Sequence, residues 1–76
     1  MNKVKKVSKE LYNATSDIDQ ALYSVSKAYK YYEKYLNYDE QNVVDEDLNI
    51  LAYIEQVSTT LNNARRRVIK LADLLE

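Results

Sequence analysis

Neither glycine nor proline occurs anywhere in these 76 residues, and cysteine, histidine, tryptophan and phenylalanine are missing as well. Without Gly and Pro the chain lacks the usual turn formers and helix breakers. A sheet protein of this length needs several tight turns, so the absence argues against one. Without Cys there is no disulfide staple, which fits a reducing compartment. The absence of His and Cys removes the commonest general base, the thiol nucleophile and the soft metal ligands. No glycine loop is available to cradle a phosphate. The acidic run at Asp45, Glu46 and Asp47 lacks the glycine and spacing of a calcium loop. The chain is therefore expected to be non-catalytic, with no cofactor and no bound metal. No stretch of about 18 apolar residues is present to span a bilayer. The lysines at 3, 5 and 6 are not followed by an apolar run, so no signal peptide is expected and the setting reads as cytoplasmic.

What the chain does have is apolar residues at alternating three- and four-residue steps. One ladder runs through Val4, Val7, Leu11, Ala14, Ile18, Ala21, Val25, Ala28, Tyr32 and Tyr35. A second runs through Ile50, Ile54, Val57, Leu61, Ala64, Val68, Leu71 and Leu75. This spacing holds one apolar edge along one side of a helix. The expected fold is all-α: a single domain over 1–76, with long helices over about 2–37 and 45–74. The weak helix formers from Asn13 to Asp17 do not shift the phase of the ladder, so the first helix is expected to run through them. Apolar spacing lapses between Asn37 and Asp45, where the turn falls. Asp45 is the first choice for the N-cap of the second helix and Asn42 the second.

So short a connection makes the helices antiparallel neighbours. If facing positions sum to 82, Leu11 meets Leu71, Ala14 meets Val68, Ile18 meets Ala64 and Ala21 meets Leu61. Small residues then oppose large ones, as interdigitating layers require. A register slipped by one heptad, to 89, is the competing choice. Ordering 76 residues costs on the order of 100 kcal/mol at about 1.5 kcal/mol each, and one seam rarely offsets that in so short a chain. A second stripe, Leu22, Tyr29 and Leu36 with Leu51 and Ala72, lies one position past the ladders. It is expected to form a homodimer interface that closes two hairpins into a four-helix bundle.

Charge is segregated. Lys3, Lys5, Lys6 and Lys9 open the chain, Arg65, Arg66, Arg67 and Lys70 lie near its end, and the acids crowd the middle. A hairpin brings both basic groups to one end and gives the rod a charge dipole. All eight aromatics are tyrosine, and five lie between Tyr29 and Tyr38. Tyr carries an apolar ring with a polar tip and suits an interface that stays wet at one edge. These rings read first as filler for the turn end of a bundle. Tyr31 and Tyr38, on the border of the seam, are the candidate contacts with a protein partner. Arg65, Arg66 and Arg67 spread over about 200° of helix surface, so they do not serve one partner together. Arg67 lies where Glu10 and Asp17 can pair with it. Arg65 and Arg66 are the candidates for an external contact.

The expected role is therefore a small regulator, inhibitor or adaptor acting on another protein. The richness in Lys, Asn and Tyr suits a phage or mobile-element origin. The alternative is an RNA- or DNA-binding homodimer using the basic end. In shape it resembles the small RNA-binding dimers of helical hairpins such as the plasmid copy-number regulator Rop, a likeness of architecture alone. A structural assembly subunit is the third reading.

Overall fold

The computed structural model describes residues 2–37 and 44–75, which form two α-helices: α1, Asn2–Asn37, and α2, Asp45–Leu75. Helix α1 is unbroken through Asn13–Asp17. The buried Thr15 hydroxyl is satisfied there within its own helix, Oγ1 donating to the carbonyl of Leu11 at 3.1 Å. Helices of 36 and 31 residues are about 54 and 46 Å long at 1.5 Å per residue. They lie side by side in a rod of 61 × 16 × 11 Å.

The start of α2 differs from the expected cap. Helical geometry begins at Asp45, which makes Val44, not Asp45, the N-cap residue. Its carbonyl accepts from the N–H groups of Asp47 and Leu48 at 3.0 and 3.3 Å. Valine has no side-chain oxygen to cap with, so Asp47 does the work from the third helical position. Its Oδ2 accepts from the Val44 N–H at 3.2 Å, the return half of a capping box. Asp45, Glu46 and Asp47 also place negative charge on the positive end of the α2 dipole. Asn42 lies outside the described residues.

Three side-chain bonds fix the register of the antiparallel pair. They join Tyr12 to Asp73, Asp19 to Arg65 and Tyr32 to Asp47, so that facing positions sum to 85, 84 and 79. This is the turn-centred register, not the one slipped by a heptad. Burial refines it. The residues of α1 most withdrawn from solvent are Ser8, Thr15 and Leu36, with Leu11, Ala14, Ile18, Ala21, Leu22, Val25, Tyr29 and Tyr32 half-buried. On α2, Ala72 is fully buried, and Asp47, Ile50, Leu51, Ile54, Ser58, Leu61, Ala64, Arg65, Val68, Ile69 and Leu75 are half-buried. A sum of 83 pairs all of these but Ala21, Ile50 and Ala64 with another withdrawn residue. Leu11 then faces Ala72, Ile18 faces Arg65, Leu22 faces Leu61, Tyr29 faces Ile54 and Leu36 faces Asp47.

The seam is thus rotated by one row from the one that the ladders suggest. The row Ser8, Thr15, Leu22, Tyr29, Leu36 turns inward, and so does Leu51, Ser58, Arg65, Ala72. Of the five residues expected at a dimer interface, Leu36 and Ala72 are buried within the hairpin itself, and Leu22, Tyr29 and Leu51 are half-buried in it. The ladder residues Val7, Ala28, Tyr35, Val57 and Leu71 are exposed. The reason is bulk. Burying Leu22, Tyr29 and Leu36 removes far more apolar surface from water than burying Ala21 and Ala28, at ~25 cal/mol per Å². Ser8 and Thr15 are carried inward with that row.

Candidate interaction surface

Helical periodicity gives the hairpin two unlike broad faces. A residue seven positions on returns to the same side of its helix, so each heptad row lies wholly on one face. On the first face lie Lys5, Tyr12, Asp19, Ser26 and Glu33 of α1, beside Leu48, Glu55, Asn62 and Ile69 of α2. The polar ties between the helices are here. Arg65 Nε donates to Asp19 Oδ1 at 2.7 Å, with the side chains 39% and 52% exposed. At that exposure the pair is worth about 0.2–1 kcal/mol and serves register more than stability. Near the open end the Tyr12 hydroxyl donates to Asp73 Oδ1 at 3.1 Å. Toward the turn Glu55 hydrogen-bonds the Tyr29 phenol, and this bond, followed by burial, raises the Tyr29 pKa above its usual value of 10.0.

At the turn end the Tyr32 hydroxyl donates to Asp47 Oδ1 at 2.6 Å. That bond, then burial and the Asp47 charge, pushes the Tyr32 phenol up to about 12. Asp47 therefore uses one oxygen to start α2 and the other to hold α1. The Tyr32 and Tyr35 rings meet at 5.8 Å between centroids, tilted by 41°, a favourable aromatic geometry.

The opposite face is of another kind. Its rows are Val7, Ala14, Ala21, Ala28 and Tyr35 on α1 and Ile50, Val57, Ala64 and Leu71 on α2, with no charged residue among them. Tyr35 is 66% exposed, Val7 49%, Val57 48% and Leu71 48%. The rim is mixed: Glu10, Asp17, Ser24 and Tyr31 on one side, Tyr53, Thr60, Arg67 and Leu74 on the other. Tyr31, Tyr53 and Leu74 there are exposed as well. The rotation of the seam leaves Val7, Ala28, Tyr35, Val57 and Leu71 of this face exposed, with Ala14, Ala21, Ile50 and Ala64 half-buried.

Tyr31 stands on the rim of the apolar face, exposed. Tyr38 lies outside the described residues. Arg65 is half-buried and engaged by Asp19, whereas Arg66 is exposed on the back of α2. The structure does not bring Tyr31 and the arginines together, since they lie toward opposite ends of the rod. Sequence reasoning missed Asp47 and the apolar face. A carboxylate three residues after a non-capping residue signals the first, and the chargeless rows signal the second.

At the open end of the rod a groove of about 700 Å³ is lined by Val4, Lys5, Ser8, Lys9, Tyr12, Asn13 and Leu75. The Ser8 hydroxyl is buried there without a hydrogen-bond partner among the described residues. Among the described residues no three side chains of metal-ligating type converge. No described helix is long and apolar enough to cross a membrane. No family model, curated protein or solved structure matches this chain.

Proposed function

We propose that this chain is a non-catalytic binding protein that works by helix-face association with proteins, as a small cytoplasmic regulator or adaptor. Its first associate in this reading is itself, two hairpins making a four-helix bundle. The observation that carries the reading is the surface it exposes. The hairpin presents 6402 Å² to solvent, where a compact monomer of 8.9 kDa exposes about 4,800 Å². No large side chain among the described residues is fully buried. A chain that leaves Val7, Tyr35, Val57 and Leu71 exposed along one chargeless face, with no His or Cys to do chemistry, suits association through that face. Tyr31 and Tyr53, aromatic and polar-tipped on the rim, suit a contact with a further protein.

The test is affinity capture of the tagged chain from its own host, alongside Tyr31→Ala and an Arg66→Ala/Arg67→Ala variant. One protein retained by the parent chain and by the arginine variant, and lost with Tyr31→Ala, is the expected outcome. Captured RNA or DNA whose binding falls steeply with salt and disappears with the arginine variant would replace this reading by the nucleic-acid one.

A further inference from the structure

We infer that a second copy of this chain covers the apolar face, lying end for end against the first, with Ala21 of each copy at the twofold axis. This rests on the reading of the chain as a self-associating hairpin and adds the face and the direction. Area supports a second copy. The apolar rows run for about 42 Å, from Val7 to Tyr35 at about 1.5 Å per residue, along a rod 16 Å wide, so covering them buries roughly 700 Å² on each copy and roughly 1,300 Å² in total. Stable specific interfaces bury about 1,200–2,000 Å². The face is also long and free of charge, which matches another rod of its own kind.

Side-chain size supports the direction. With the copies reversed, Val7 lies over Tyr35 of the second copy, Ala14 over Ala28, and Ala21 over Ala21. On α2 the axis falls level with Asn62, so Val57 lies between Ala64 and Leu71 of the second copy. The α1 rods approach most closely at their middle, over alanines, and the larger residues close the ends. Every neighbouring helix pair in the resulting bundle is antiparallel.

Charge supports the same direction independently. Among the described residues, 4–20 and 62–75, at the open end, carry seven Lys or Arg against four Asp or Glu, while 21–36 and 44–61 carry three against five. The open half is thus +3 and the turn half −2. Reversed copies set each basic half beside an acidic one, whereas copies aligned the same way set like against like.

The chain has no native cysteine, so a single thiol reports its own neighbour. Ala21→Cys, treated with a short bismaleimide at micromolar protein, is expected to become a covalent dimer. Tyr23→Cys, exposed on the other side of α1, is expected to remain single. Added salt is expected to weaken association. A twin-sized particle with no Ala21→Cys crosslink overturns the face and direction while self-association stands. Crosslinking only in a mixture of Ala21→Cys with Ala64→Cys, together with association strengthened by salt, overturns the direction. A single-chain mass for the parent protein overturns both this inference and self-association.

Discussion

Truncating Leu36 and Leu71 to alanine should have unequal effects, although sequence periodicity puts Leu71 on the ladder and Leu36 beside it. Leu36 is 8% exposed within the hairpin. Leu→Ala removes three carbons at ~0.8 kcal/mol each, about 2.4 kcal/mol, and a residual cavity raises that to about 2.5–4 kcal/mol. Leu71 is 48% exposed, so about half its transfer energy is at stake, ~1.2 kcal/mol, with no cavity at an open surface. A chain of 76 residues has a total stability of about 4–11 kcal/mol, so Leu36→Ala takes a large share of it. The assay is urea unfolding followed by far-ultraviolet dichroism, at a low and a hundredfold higher protein concentration. The Leu36→Ala loss belongs to the hairpin and should not depend on concentration. The Leu71→Ala loss should grow at high concentration, where a second copy covers the residue. A Leu71→Ala loss equal to that of Leu36→Ala in dilute solution would refute the rotated seam.

Three further outcomes follow from the polar groups. Asp47→Ala removes both the tie to the Val44 N–H and the acceptor for Tyr32, so the Tyr32 phenol should fall from about 12 toward its ordinary 10.0 in a spectrophotometric titration, with some helix lost; an unmoved titration would contradict the assigned bond. The phenols of Tyr29 and Tyr32 are raised in the folded chain, so their contribution is complete below pH 10, the unfolded value, and is lost as pH climbs from there through about 12. Urea midpoints that rise over that alkaline range would contradict the sign. Ser8→Ala removes a buried hydroxyl without a partner among the described residues and should be neutral or stabilising by up to about 1 kcal/mol; a loss of stability larger than that would mean the hydroxyl is bonded.

The hairpin itself was legible from the ladders, because a period near 3.5 over so many turns has no other compact solution. So were the two helices, nearly to the residue, and the uninterrupted passage of α1 through Asn13–Asp17. The choice of seam was not. Three adjacent rows of α1 compete for the inside, and the one with the cleanest pattern, Val7, Ala14, Ala21, Ala28 and Tyr35, is also the one with the least bulk. Ser8, Thr15, Ser58 and Arg65 disguise the inward rows as surface. The large residues Leu22, Tyr29 and Leu36 decide the outcome against them, and pattern alone does not weigh volume. The cap escaped for a related reason: Asp47 acts from inside the helix, so a search for a capping side chain just before the helix passes over it. Tyr31 and Arg66 are exposed as expected, but exposure by itself assigns them no ligand.

The most direct measurement is sedimentation equilibrium of the parent chain and of an Ala28→Glu/Val57→Glu variant, with dichroism on both. A hairpin closed on its inner rows, whose outer apolar face is covered by a twin, predicts twice 8.9 kDa for the parent and 8.9 kDa for the variant, both equally helical. A parent that sediments at 8.9 kDa at every micromolar concentration, or a variant that loses its helix along with its twin, would contradict it.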